Sequence, residues 1–113
     1  MAGFQTSDDQ ARAELRPLRV AMRREDLFAE ARTMVEDLPA WKLERADEDA
    51  LELHCSRSGG LLGGTAAVTL RVEGPEGIPS STLHMSSTSS GGLLARDRNV
   101  VLEFMTPFAR RVG

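Results

Sequence analysis

The chain has 113 residues, enough for one domain with a single modest core. At 41% hydrophobic and 27% charged residues, with a formal net charge of −3, it lacks the basic surplus of a phosphate-coating nucleic-acid binder. Aromatic residues make up 4% with no Tyr, so the core must be built largely from Leu, Val, Met and Ala.

Cys55 has no second cysteine to pair with, and one thiol with two separated histidines, His54 and His84, makes no metal site. No cofactor is expected. Residues 1–9 contain no apolar segment of signal-peptide length, and no run approaches the roughly 20 apolar residues of a membrane span. The expectation is a cytoplasmic protein.

Residues 1–14 are small and polar and read as a flexible tail ahead of a single domain over 15–113. Leu18, Val20 and Met22 then alternate with Arg19 and Ala21 as a first strand, and Pro17 beside it suits a sheet edge. From Arg23 to Leu38 the period changes to that of a helix. Leu27, Ala31, Met34, Val35 and Leu38 share one face, Glu25 and Asp26 sit in the first turn where the helix dipole favours negative charge, and Pro39 ends it.

Trp41 and Leu43 alternate with Lys42 and Glu44 in a second strand, and Leu51, Leu53 and Cys55 alternate with Glu52 and His54 in a third. The acidic turn between them, Asp47-Glu48-Asp49, lacks the ligand spacing and central glycine of a calcium loop. After Gly59–Gly64, a fourth strand places Ala66, Val68, Leu70 and Val72 on one face and Thr69, Arg71 and Glu73 on the other. The Gly74–Pro79 break leads to a fifth strand with Leu83, Met85 and Ser87 in phase. Val101, Phe104, Met105, Phe108 and Val112 then form one apolar helical stripe, which Pro107 should bend or shorten by removing the bond to Glu103.

The order β-α-β-β-β-β-α predicts an α+β domain with one antiparallel five-stranded sheet. Its two helices, over 25–38 and 98–111, would cover one face. TATA-binding-protein-like and small helix-grip folds share that order.

The segment Met85–Asn99 resembles the DUF-1499 family of uncharacterised domains. That family carries Ser-x-Ser-Arg-x-Gly-x-x-Asp-x-Gly-x-Asn between a last strand and a last helix. Ser87, Ser89, Gly92 and Asn99 match in register, while Ser90, Ala95 and Asp97 stand where the family has Arg, Asp and Gly. The resemblance, looser over 18–112, implies an α+β domain and supplies no catalytic residue.

Chemistry-bearing residues are few. His54 and His84 fall on the wet face of the third and fifth strands, with the fourth between them near Thr69 or Arg71, and Cys55 falls on the dry face. The serine-rich run 80–90 has no Gly-x-Ser-x-Gly elbow, and Gly59–Gly64 has neither the ending of a phosphate loop nor the context of a dinucleotide fingerprint. The open sheet face mixes Glu44, Glu52 and Glu73 with Arg45 and Arg71 and offers no aromatics for base stacking.

One feature remains. Ser-Gly-Gly-Leu-Leu occurs at 58–62 and again at 90–94, and counting strand reversals brings both loops to one end of the sheet. Leu61, Leu62, Leu93 and Leu94 then either close the core or form an apolar rim for a small apolar molecule or a protein partner. Ser87 and Ser89 point inward towards that end, and Asp97 and Asn99 begin the last helix beside them, where one of the two would cap it. The reading is a non-catalytic binding or interaction module with its site there. The alternative is a small enzyme at the same end, using Arg96, Asp97 and Asn99 as polar groups. A homodimer is also expected, formed by a polar Ser/Thr strand at a free sheet edge.

Overall fold

A computed structural model describes residues 2–58, 65–89 and 97–113. The elements are β1 (Ala2–Gln5), a 3₁₀ turn (Ala13–Leu15), β2 (Leu18–Val20), α1 (Arg24–Asp37), β3 (Trp41–Asp47), β4 (Glu52–Ser58), β5 (Thr65–Glu73), β6 (Ser81–Ser89) and α2 (Asp97–Val112). The strand, helix, four strands and helix predicted from the alternation and the two amphipathic stripes are all present.

Every strand pairs antiparallel, in the order β1-β6-β5-β4-β3, with β2 also against β6. Alternation decides the two faces. Leu53 and Cys55 of β4, Ala66, Val68, Leu70 and Val72 of β5, and Leu83 and Met85 of β6 are all buried. They meet Leu27, Phe28, Ala31, Met34 and Val35 of α1 and Val101, Phe104, Met105 and Phe108 of α2 in one core. The aromatic residues run in a chain through it: Trp41 to Phe104 at 5.6 Å between ring centroids, and Phe104 to Phe108 at 5.0 Å. Burial of the Phe104–Phe108 stripe carries α2 past Pro107 as far as Val112, so the proline does not shorten the helix.

The amino-terminal residues read as a frayed tail are instead a sixth strand. β1 pairs with Gln5 opposite Ser86, and β2 resumes on the same side of β6 with Leu18 opposite Leu83. At the gap between them, Thr6 donates its backbone N–H to the Met85 carbonyl at 2.9 Å, and its hydroxyl accepts from the Met85 N–H at 3.0 Å. One threonine thus completes the ladder, and Thr6 is buried. Residues 7–17 loop out between the two strands and return Leu15, fully buried, to the core. No hydrophobic period marks this segment, because Phe4 and Leu15 are its isolated apolar anchors and hydrogen bonds, including those of Arg16 to the Gln10 and Ala11 carbonyls, hold the rest.

Two strand boundaries also differ from the alternation. β3 shifts register between Leu43 and Arg45, so Glu44 is a bulge. Leu51 precedes β4 in the turn, with φ 56°, and its carbonyl accepts from Val72 N–H at 2.9 Å. The β5–β6 turn requires Gly74, where a Cβ would stand 2.6 Å from the Ser80 carbonyl oxygen, and Gly77, at φ 75°.

The homodimer argument placed a Ser/Thr strand at an edge. That strand is β6, which lies inside the sheet between β5 and the pair β1 and β2. The edge at the far side is β3, which carries Lys42, Glu44, Arg45 and Asp47 and a bulge, features that oppose edge-to-edge pairing.

Candidate functional site at one end of the sheet

Strand direction defines an exit end, where β4 and β6 finish and β3 and β5 begin. Ser58 pairs with Thr65, and Ser89 pairs with Ala66 on the other side of the same strand. The strand ends Ser58 and Ser89 therefore lie at one end of the sheet, as the strand count predicts. Leu61, Leu62, Leu93, Leu94 and Arg96 lie outside the described residues.

Of the remaining predicted site residues, three converge. Ser87 Oγ and Ser89 Oγ each donate to Asp97 Oδ1 at 2.6 Å, and the Ser89 backbone N–H donates to Asp97 Oδ2 at 3.2 Å. Ser87 and Asp97 are buried, at 1% and 5% exposure. The inward parity of Leu83 and Met85 carries the two hydroxyls to this position. Asp97, at the first residue of α2, ties the helix start to β6. Asn99 is exposed and takes no place in this group.

A second carboxylate of α2 is held by residues that the sequence reading did not single out. Arg57 Nε donates to Glu103 Oε1 at 2.9 Å, Arg57 Nη2 to Glu103 Oε2 at 2.6 Å, and Trp41 Nε1 to Glu103 Oε1. Arg57 Nη1 also donates to the Ser58 carbonyl at 2.8 Å. The Arg57 and Glu103 side chains are 28% and 36% exposed. Hydrogen bonds from Arg57 hold the Glu103 carboxyl below the usual carboxylate range, against the opposing pull of partial burial, with Trp41 adding to the lowering. Glu103 in turn raises Arg57. The missed signal was parity: Leu53, Cys55 and Arg57 follow one another at every second position, which puts an arginine on the dry face.

Trp41 is set by the turn before it. Ala40 adopts φ 68°, and its carbonyl accepts the Ser58 N–H at 2.8 Å, joining the start of β3 to the end of β4.

The other chemistry-bearing residues lie elsewhere. Cys55 is buried, and burial, with the Glu44 charge, pushes its thiol up to about 12. His54 stands opposite Thr69 and His84 opposite Arg71, so β5 separates them as the alternation requires. His84 Nε2 lies 2.7 Å from Glu73 Oε1, and Glu73 also receives Arg71, first and His84 second in lowering its carboxyl. His54 Nε2 is 3.2 Å from Glu52 Oε1, outside hydrogen-bond geometry. Among the described residues, no three His, Cys, Asp or Glu side chains group to hold a metal, and no helix is long and apolar enough to cross a membrane.

Three clefts lined by described residues lie away from the exit end. One of about 130 Å³ runs between Ala13, Leu18, Met105 and Ala109, and one of about 230 Å³ between Phe28, Arg32 and Leu51. A third, of about 200 Å³, opens on the wet face beside Arg71 and His84. Each falls short of the roughly 300 Å³ at which small-molecule pockets begin.

Against solved structures, the chain is similar to the crystal structure of Ara h 8.0201, with a TM-score of 0.55, 9% identity, and 98% of this chain and 97% of that one covered. The fold is a helix-grip. A solution structure from Thermobifida fusca aligns at a TM-score of 0.48 and 14% identity, over 99% of this chain and 85% of that one. No family model and no curated protein sequence matches the chain.

Proposed function

We propose that this protein is a non-catalytic binding module that takes a small apolar molecule at the exit end of the helix-grip. One observation carries the reading. The strand ends at Ser58 and Ser89 lie on either side of the start of β5, and in the sequence each is followed by a Gly-Gly-Leu-Leu run. The polar groups described at that end are already paired, and leucines of the two runs would add the apolar part of the mixture expected of a small-molecule site. Asp97 is engaged by Ser87 and Ser89, and Glu103 by Arg57 and Trp41, which favours holding a ligand over attacking one. The thiol of Cys55 is buried and held protonated, away from nucleophilic work.

The test combines Leu61→Ser, Leu62→Ser, Leu93→Ser and Leu94→Ser in one variant and follows thermal unfolding beside the fluorescence of Nile red, a neutral apolar probe. A rim that contacts ligand gives saturable probe binding in the native sequence, loss of that binding in the variant, and a nearly unchanged Tm. If the leucines seal the core instead, each buried leucine lost costs about 2–5 kcal/mol and the variant melts far earlier. That result, or probe binding that survives all four changes, refutes the proposal.

A further inference from the structure

Among the described inward-facing strand residues, Arg57 is the charged one; its neighbours in phase are apolar or small. A partly exposed ion pair adds little as a fastener, because solvent screens it. Its geometry is nonetheless well formed. Arg57 Nε, Arg57 Nη2 and Trp41 Nε1 converge on the two oxygens of one carboxylate, the planar fork that suits arginine to carboxylates. The carboxylate now in that receptor belongs to the protein itself.

Its two partners are not equally free to leave. Glu103 is 36% exposed and projects from α2, so water can take over its solvation when it turns outward. Arg57 is 28% exposed, and Nη1 is tethered to the Ser58 carbonyl. An incoming cation would have to displace Arg57, which Ser58 also holds, whereas an incoming anion need only displace Glu103, the more exposed partner.

Resting on the apolar-ligand reading above, we infer that the ligand is an amphipathic carboxylic acid. Its carboxylate takes the place of Glu103 on Arg57 and Trp41, and its apolar chain lies at the exit end. Glu103 is then a resident competitor that keeps Arg57 paired when no ligand is bound.

The experiment displaces Nile red with dodecanoic acid or with 1-dodecanol, both below their aggregation limits at pH 7.5. It uses the native protein, Glu103→Ala, Arg57→Gln and, as a control for bulk charge, Glu36→Ala, whose carboxylate is exposed on α1. Removing the competitor should raise affinity for the acid about tenfold in Glu103→Ala, with the alcohol unchanged and Glu36→Ala like the native chain. Arg57→Gln should lose any preference for the acid. Should Arg57→Gln fail to fold, Trp41→Phe added to Glu103→Ala keeps the ring but removes the donor, and should give back about threefold of the gain. Alcohol displacement with no gain for the acid in Glu103→Ala, or an acid preference that survives both changes at Arg57 and Trp41, overturns the inference and leaves the apolar-ligand reading standing. Absence of Nile red binding to the native protein removes both.

Discussion

The first two turns of α2 are fastened to the sheet by two carboxylates that differ in one respect. Asp97 is 5% exposed and is surrounded by Ser87 and Ser89, which are short, neutral and part of β6. Glu103 is 36% exposed and is held by Arg57 and Trp41, one of them charged. Both have their hydrogen bonds satisfied, yet water reaches only the second. The comparison teaches that hydrogen-bond satisfaction alone does not separate a structural tie from an exchangeable one. What separates them is whether solvent can replace the partner.

The largest expected effect tests the closed tie. Asp97→Ala leaves two hydroxyls and a backbone N–H without their acceptor, and removes a charge that suits a helix start. It should destabilise the domain by roughly 3 kcal/mol in denaturant unfolding. A loss below about 1 kcal/mol would mean that Asp97 is as replaceable as Glu103. Glu103→Ala should cost only about 1 kcal/mol, because a third-exposed pair is solvent-screened and water can reach Arg57. A loss as large as that of Asp97→Ala would erase the contrast.

Acid sharpens it further. The Glu103 carboxyl is lowered in the folded protein, so its contribution is fully present above the unfolded carboxylate value near 4.5. As pH falls from there through the lower folded value, the unfolded chain takes up the proton first and the contribution is lost. Glu103→Gln should therefore lower Tm slightly near neutrality, where the contribution is present, and converge on the native protein in acid, so that its fall in Tm below about pH 4.5 is shallower. A fall as steep as that of the native protein would show that Arg57 does not set this carboxyl. The smallest effect concerns the turn that positions Trp41. Ala40 holds a positive φ that costs an L-residue about 1–2 kcal/mol, offset in part by the greater chain entropy of glycine, so Ala40→Gly should stabilise by about 0.5 kcal/mol. A destabilised Ala40→Gly would mean that the methyl group makes contacts outweighing this strain.

Periodicity alone determined the element types, the antiparallel meander and the two covering helices, because a half-buried strand must alternate and a half-buried helix must repeat every three to four residues. Direction followed from counting strands, and so did the shared end for Ser58 and Ser89, the strand ends. The inward placement of Ser87 and Ser89 was legible for the same reason. The tertiary structure decided the rest. β1 carries no hydrophobic period, and its place beside β6 depends on backbone hydrogen bonds, which are available to any sequence, with the Thr6 hydroxyl and one half-buried Phe4 too sparse to make a pattern. The pairing of Arg57 with Glu103 joins residues 46 positions apart, across an angle between helix and sheet that no local spacing encodes. Sequence placed each of them on an element. Only packing could bring a charged strand residue, a strand-leading tryptophan and a helix carboxylate to one point, since that requires the apolar faces of three elements to meet first.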